Sequence, residues 1–156
     1  AERWLSLAAE RPQIEFIEQP CAADDVDLIM GLAQDFPVTL ALDEAVLGAA
    51  DFGRWQDLGW PGVYVLKPAL WGDPVDLITR VREAKADVVI SSALETRIGA
   101  RIVMAVAFAL ADTARAAGLG VWPLFVDGAH DAPTALPFLQ RETVLSLDAA
   151  VGEGIA

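Results

Sequence analysis

Four residues with reactive or ligating side chains recur along the chain at a nearly constant interval. Glu18, Asp43, Lys67 and Ser91 are separated by 25, 24 and 24 residues, and each follows a short apolar segment. Two carboxylates suit a hard divalent cation such as Mg²⁺, which takes oxygen ligands. An ammonium group can act as an acid or a base, or it can hold an anionic intermediate by its charge. The pattern indicates a polar site if the fold brings these residues together.

The segments that carry these residues predict parallel strands alternating with helices. Apolar, β-branched runs lie at 14–17, 38–42, 63–66 and 88–90, with a weaker fifth at 121–126. Helical spacing is found at 1–9, 24–34, 51–58, 74–84 and 96–117. Short loops between a strand, a helix and the next strand favour a parallel sheet with right-handed crossovers, buried on both faces. An open doubly wound sheet and a (β/α) barrel both fit, and residues 134–156 are predicted to form a loop or a short terminal strand.

One strand and one helix per interval would place all four residues at the carboxyl edge of the sheet. In a (β/α) barrel this edge carries the active site. There are structural alternatives. Lys67 could pair with Glu18 or Asp43 to close a polar layer. Ser91 or its neighbour Ser92 could bind a substrate carboxylate or could instead cap the helix that follows.

Composition excludes several classes of protein. The chain has 156 residues and a formal charge of −12, which argues against nucleic acid and anionic membranes as partners. The longest apolar run has ten residues, whereas a membrane-spanning helix needs about 20. The chain has a single cysteine and no signal-like start, so a cytoplasmic protein is expected. Its 54% hydrophobic content exceeds the ~45–50% of ordinary soluble domains. We therefore expect apolar surface that this short chain cannot bury by itself.

Four motifs at the strand ends resemble the enolase superfamily. They are Ile-Glu-Phe-Ile-Glu-Gln-Pro at 14–20, Ala-Leu-Asp-Glu at 41–44, Val-Leu-Lys-Pro-Ala-Leu-Trp-Gly at 65–72 and Ser-Ser-Ala-Leu-Glu-Thr-Arg-Ile-Gly at 91–99. The first two are general to the superfamily. The last two are similar, more narrowly, to the o-succinylbenzoate synthases of menaquinone and phylloquinone biosynthesis.

The resemblance implies a role for each matching residue. Glu18 and Asp43 correspond to the second and third ligands of Mg²⁺, and Mn²⁺ is a further candidate metal. Lys67 corresponds to the catalytic lysine that faces the substrate from the far side of the barrel. Ser91 and Ser92 correspond to the substrate-binding strand end. Glu44 and Glu95 also match motif positions and are expected to orient Lys67 or the metal ligands.

The resemblance also implies parts that these 156 residues do not contain. The family has a capping domain, a Lys-x-Lys motif that supplies the base, and a first magnesium carboxylate on earlier barrel strands. Residues 1–156 are therefore expected to form one partial barrel domain, about the C-terminal half of an enolase-superfamily barrel. The expected reaction of the parent protein is a carbon–oxygen lyase reaction, with the isolated fragment inactive.

In the family, magnesium binds the carboxylate of 2-succinyl-6-hydroxy-2,4-cyclohexadiene-1-carboxylate. A lysine removes the adjacent proton, and loss of hydroxide from the enediolate gives o-succinylbenzoate. An N-acylamino acid racemase or another muconate-cycloisomerase-like member is the alternative within the superfamily. A non-catalytic half barrel that self-associates through exposed sheet edges, as a homo-oligomer, is the alternative from a different class.

Overall fold

The computed structural model describes residues 1–119, except for the side chain of residue 97. Helices and strands alternate along this part of the chain. The elements are α1 (Glu2–Ala9), β1 (Ile17–Glu18), α2 (Val26–Asp35), β2 (Leu40–Leu42), α3 (Ala49–Asp57), β3 (Val63–Leu66), α4 (Pro68–Trp71), α5 (Pro74–Ala84), β4 (Val88–Ile90) and α6 (Arg97–Ala109).

The four strands form one parallel sheet in the order β1-β2-β3-β4, so neighbours in sequence are neighbours in space. Each pair of strands is joined by a helical crossover, as the alternating pattern predicts. The register aligns Glu18 with Ala41, Leu42 with Tyr64, and Leu66 with Ile90. Sequential order without a reversal is the arrangement of a (β/α) barrel.

The two faces of the sheet bury different side chains. The helix-facing side carries large residues such as Leu42, Tyr64 and Leu66, which pack in one cluster with Phe52 and Trp55 of α3. The opposite side carries smaller residues in a second cluster. That inner cluster consists of Ala41, Val63, Val65 and Val89, with Phe16 packed against it. Burial on both faces explains why the strands are almost uniformly apolar.

Local signals in the sequence account for the helix starts and one close approach. Asp25 accepts a hydrogen bond from the Leu28 amide and begins α2. Asp73 begins α5 in the same way, with Pro74 at the first helical position, where no amide donor is needed. Gly62 precedes β3, where a Cβ atom would lie 2.2 Å from the Leu40 carbonyl oxygen, so only glycine fits.

Most element boundaries lie within two residues of the predicted ones, and three differences are informative. The strand predicted at 14–17 is found at Ile17–Glu18, because Ile14 closes a turn with the Arg11 carbonyl and pairing with β2 begins at Ile17. A short helix, α4, follows Lys67 where no element was predicted. The third difference concerns α6, which was predicted to continue to residue 117.

The helix α6 ends at Ala109 although the next residues favour a helix. The amides of Thr113 and Ala114 both bond the Leu110 carbonyl in a turn. The amide of Arg115 then donates to the Val88 carbonyl, and Gly118 forms a parallel bridge with Ser91. Pairing alongside β4 therefore overrides the helix propensity of this segment.

Two further predictions lie outside the described residues, namely the fifth strand at 121–126 and the terminal segment at 134–156. Within residues 1–119, none of the helices has the length and apolar character needed to cross a bilayer.

Candidate active site

The structure places the four regularly spaced residues at the carboxyl edge of the sheet. Glu18 is the last residue of β1, while Asp43, Lys67 and Ser91 directly follow β2, β3 and β4. The Ser91 amide donates to the Leu66 carbonyl at 2.9 Å, which holds the last two strand ends level. The sequence spacing therefore corresponds to one shared edge.

The same four residues also fall on one face of the sheet. Residues paired in a parallel sheet point to the same side, and side chains alternate along each strand. Glu18 is paired with Ala41 of the inner cluster. Asp43, Lys67 and Ser91 each lie two residues beyond an inner-cluster residue. The polar residues form the last layer above that apolar cluster.

Lys67 and Asp43 form an ion pair that is largely shielded from water. The Lys67 ammonium bonds the Asp43 Oδ1 atom, and the two side chains are only 17% and 10% exposed. This contact is the polar-layer pairing that the sequence left open for Lys67. A metal ion at Asp43 would compete with the ammonium group for the same carboxylate.

Glu18 carries a carboxyl group in an unfavourable place for negative charge. Partial desolvation raises the pKa of Glu18, and the carboxylates of Asp43 and Glu44 raise it further, against the opposing effect of Lys67. The side chain nevertheless remains in contact with solvent. A divalent cation bound by Glu18 and Asp43 would offset the repulsion between these carboxylates.

The donor set at this edge fits part of a magnesium site. Glu18 and Asp43 supply carboxylate oxygens, the ligand type that Mg²⁺ takes, and their mutual repulsion favours a cation between them. Across the described ranges, no group of three or more histidine, cysteine or acidic side chains is arranged to hold a metal. The remaining ligands would come from water, from substrate or from the earlier barrel strand that the resemblance implies.

Gln19 belongs to this site and was not singled out from the sequence. Its side-chain oxygen accepts hydrogen bonds from the amides of Asp43 at 3.0 Å and Ala45 at 3.2 Å. Its side-chain nitrogen donates to the Cys21 carbonyl at 3.0 Å. The signal was present, because Gln19 lies inside the Glu-Gln-Pro motif, but spacing alone does not reveal a side chain that bonds another strand's backbone.

Ser91 is bonded within the protein. Its hydroxyl donates to the Gly118 carbonyl at 3.1 Å, next to the bridge between the two residues. The side chain is half-buried at the sheet edge. In this arrangement Ser91 fixes the segment that returns alongside β4.

Ser92 and Glu95 form a buried pair in the turn after β4. The Ser92 hydroxyl donates to Glu95 at 2.5 Å and accepts from the Leu94 amide at 3.2 Å, while Glu95 also accepts from the Ala93 amide at 2.6 Å. A Cβ atom at Gly99 would lie 2.7 Å from the Glu95 Cβ, so glycine gives Glu95 its room. Within residues 1–119 the hydrogen bonds of Glu95 go to its own turn. Its expected role in orienting Lys67 or the metal ligands stays a prediction.

Glu44 is exposed and acts on the site through its charge. It raises the pKa of Glu18 as a like-charged neighbour. Within residues 1–119 no hydrogen bond joins Glu44 to Lys67, whose ammonium bonds Asp43, so the orienting role expected for Glu44 stays a prediction. The shallow cavity of about 250 Å³ between α2 and the start of β3 lies at the opposite, amino edge and contributes nothing to this group.

The site as a whole combines clustered negative charge with one ammonium group above an apolar floor. Two carboxylates can hold a cation, and a cation together with Lys67 can attract an anionic substrate. A substrate carboxylate next to both positive charges would have its adjacent proton acidified. The arrangement suits proton removal next to a carboxylate.

The chain is similar in sequence and in structure to proteins of known function. No family model matches the chain. A curated o-succinylbenzoate synthase from Thermosynechococcus vestitus is 41% identical over 102 residues, which is 63% of this chain and 32% of the relative. The crystal structure of o-succinylbenzoate synthase from Thermosynechococcus elongatus BP-1, complexed with Mg in its active site, matches with a TM-score of 0.73 and 34% identity, over 97% of this chain and 45% of that one.

A more distant structure shares the fold alone. N-succinyl Arg/Lys racemase from Bacillus cereus ATCC 14579 has a TM-score of 0.66 and 18% identity, over 94% of this chain and 44% of that chain. The curated relative is matched over about a third of its own length.

The described fold is a parallel sheet alternating with helices, and its structural neighbours are enolase-superfamily barrels of which this chain covers part, which confirms the predicted fold class. Within that superfamily the chain is similar in sequence and in structure to the o-succinylbenzoate synthases, and this confirms the predicted resemblance.

Proposed function

We propose that the protein to which this chain belongs is an o-succinylbenzoate synthase, a lyase that removes water from 2-succinyl-6-hydroxy-2,4-cyclohexadiene-1-carboxylate. One observation carries the proposal: Glu18, Asp43 and Lys67 share one face at one edge of the sheet. The similarity to synthases along the same motifs supports it.

Glu18 and Asp43 would hold the metal ion, Mg²⁺ in the first instance and Mn²⁺ as a replacement. When bound, the ion supplies Lewis-acid stabilisation of the negative charge that develops on the substrate carboxylate. Binding also relieves the repulsion between the two carboxylates, which adds to partial desolvation in raising the pKa of Glu18. The shielded position of Asp43 strengthens this electrostatic interaction.

Lys67 would stabilise the anionic intermediate by its charge. Its ammonium is bonded to Asp43, so it is held at the face where substrate would bind. The half-buried position of Lys67 keeps its charge effective on the substrate anion. Ser91 and Ser92 would contact substrate oxygens, which requires the Ser91 hydroxyl to leave the Gly118 carbonyl and the Ser92 hydroxyl to leave the Glu95 carboxylate.

The reaction also needs a base, which these 156 residues do not supply. The sequence has two lysines, Lys67 and Lys85. Lys85 ends α5 and precedes β4, so it lies at the amino edge, away from the site. The resemblance assigns the base to a Lys-x-Lys motif elsewhere in the barrel, so residues 1–156 alone, as a single partial barrel domain, are expected to be inactive.

The direct test is Mg²⁺-dependent formation of o-succinylbenzoate by the full-length protein. We expect turnover that EDTA abolishes, that Mg²⁺ or Mn²⁺ restores, and that Asp43→Asn removes. Asp57→Asn is the matched control, because Asp57 is exposed at the end of α3 near the amino edge. Turnover that survives both EDTA and Asp43→Asn would contradict the proposal.

A racemase is the second candidate, since the racemase fold neighbour uses the same type of barrel. Both reactions begin with loss of the proton next to a carboxylate, but only the synthase expels hydroxide. Exchange of the α-hydrogen of an N-succinyl amino acid in D₂O, without dehydration of the cyclohexadiene substrate, would favour the racemase.

The alternative from another class is a non-catalytic half barrel that self-associates. It would catalyse neither reaction and would be a dimer by light scattering. A small carboxylate substrate and a cytoplasmic location complete the proposal.

A further inference from the structure

The Gln19 side chain joins the ends of two neighbouring strands. Its backbone amide donates to the Ala41 carbonyl at 2.8 Å and so continues the β1–β2 pairing one residue beyond β1. Its side-chain oxygen then accepts from the amides of Asp43 and Ala45, at 3.0 and 3.2 Å. Its side-chain nitrogen donates to the Cys21 carbonyl at 3.0 Å. The side-chain amide of Gln19 therefore bonds the backbone of the two turns that follow β1 and β2.

These bonds determine where Asp43 is held relative to Glu18. Gln19 directly follows Glu18, and its side-chain oxygen accepts a hydrogen bond from the Asp43 amide. Beyond Leu42 the Asp43 amide has left the strand ladder, so the Gln19 oxygen takes the place of a strand partner. A shift of this contact would move one carboxylate against the other.

The backbone of Gln19 is bent to make these contacts. Its φ angle is +37°, in the left-handed region that residues with a Cβ atom rarely adopt. Asparagine tolerates this region better than glutamine does, but its side chain is one methylene shorter. A strained backbone kept together with a long side chain indicates that the reach of the amide is what the position requires.

The chemistry of an amide also matters here. A glutamate at position 19 would keep an oxygen for the Asp43 and Ala45 amides, but it would lose the donor to the Cys21 carbonyl. It would also add a negative charge beside Glu18 and Asp43, which already repel each other. A neutral side chain with both a donor and an acceptor satisfies all three bonds.

We propose that Gln19 is a positioning residue that sets the separation of Glu18 and Asp43 and thereby the affinity of this edge for a divalent cation. The proposal deepens the proposed function and rests on the cation site in it. Gln19 acts through the backbone of Asp43 and does not itself touch the metal or the substrate.

The test is Mg²⁺ binding by isothermal titration calorimetry on full-length wild-type protein and on the Gln19→Asn variant. We expect Asn to weaken Mg²⁺ about tenfold, the size of effect that outer contacts of metal ligands have. Hydrogen exchange at the Asp43 and Ala45 amides should accelerate in the same variant. Gln13→Asn is the matched control, because Gln13 is exposed ahead of β1 at the other edge and should leave Mg²⁺ affinity unchanged.

A second variant separates positioning from folding. Gln19→Glu keeps the reach and the acceptor oxygen, so the Asp43 and Ala45 amides should stay protected and Mg²⁺ binding should be no weaker than in the wild type. Unchanged Mg²⁺ affinity in Gln19→Asn, with a lower melting temperature alone, would overturn the proposal and leave the cation site standing. Absence of Mg²⁺ binding in the wild type would instead overturn the proposed function together with this inference.

Discussion

The two edges of the sheet differ in how their charged side chains are arranged. Opposite charges are paired at the amino edge, whereas like charges lie close together at the carboxyl edge. At the amino edge, Arg115 donates to both carboxylate oxygens of Asp87, at 2.7 and 2.8 Å, and to Glu15 at 3.2 Å. It also lies 5.8 Å from the centre of the Phe16 ring. At the carboxyl edge, negatively charged groups face one another and share a single ammonium group.

This difference separates charges that stabilise the fold from charges kept for function. Hydrogen bonding to Asp87 raises the pKa of Arg115 above its usual range, so the ionised pair is favoured by folding. At the other edge, desolvation and like charge raise the pKa of Glu18, so its ionised form is disfavoured by folding. A fold keeps such a disfavoured carboxylate where a ligand later compensates for it.

The largest effect is expected at Lys67, in comparison with Lys85 at the opposite edge. Lys67→Met should lower kcat of the full-length enzyme by about 10²–10³-fold, because a charge that stabilises the anionic intermediate is lost. Steady-state kinetics at saturating Mg²⁺ measures it. Lys85→Met serves as the control, since Lys85 is exposed after α5, and it should retain wild-type kcat. Equal activity of the two variants would remove Lys67 from the mechanism.

The next largest effect is expected at Glu18, the last residue of β1, in comparison with Glu15, which precedes β1. Glu18→Gln should weaken Mg²⁺ by about 10–100-fold, because a metal-binding carboxylate is lost. The same change should raise the melting temperature of the metal-free protein slightly, since it ends the repulsion with Asp43. Calorimetric titration and thermal unfolding measure the two effects on one sample.

Glu15→Gln is the matched control for that experiment. Glu15 is exposed and contacts Arg115 at the amino edge, so its loss should leave Mg²⁺ affinity unchanged and cost at most about 1 kcal/mol of stability. If both variants weaken Mg²⁺ to the same extent, the metal site does not distinguish the two edges.

The pH dependence of Mg²⁺ binding should follow the raised pKa of Glu18. Because the metal displaces the proton, affinity should fall about tenfold per pH unit below that folded-state pKa, and level off above it. The fall should begin at a higher pH than for an ordinary glutamate. Without metal the sign reverses, because the folded protein binds this proton more tightly than the unfolded chain, so stability declines as pH rises through the folded pKa. Identical profiles for wild type and Glu18→Gln would contradict this assignment.

The smallest effect is expected at the amino edge. Arg115→Met should destabilise the protein by about 1 kcal/mol, since the pair with Asp87 is bidentate but partly exposed. For a domain of this size that is a melting temperature about 2–4 °C lower. The kcat at saturating Mg²⁺ should not change. A large loss of activity without loss of stability would show that the two edges are coupled.

Much of this contrast could be predicted from the sequence, and the rest depends on contacts between distant segments. The interval between Glu18, Asp43, Lys67 and Ser91 predicted one shared edge, because one strand and one helix fill each interval. The register then adds what spacing alone does not show, namely that the four also share a face.

The missed features have one physical cause in common. Helix α6 ends before its alanine-rich continuation because Arg115 bonds the Val88 carbonyl, a contact 27 residues away in sequence. Gln19 was overlooked because its partners, Asp43 and Ala45, lie on the next strand's turn. Local propensity and periodicity carry no information on such long-range bonds.

Anomalous diffraction from Mn²⁺-soaked crystals of the full-length protein tests most directly whether the carboxylates at the carboxyl edge bind a metal ion. The account predicts a peak within coordination distance of carboxylate oxygens of both Glu18 and Asp43, with the Lys67 ammonium displaced from Asp43. A metal peak elsewhere, or an intact Lys67–Asp43 ion pair with no peak beside it at saturating Mn²⁺, would contradict the account.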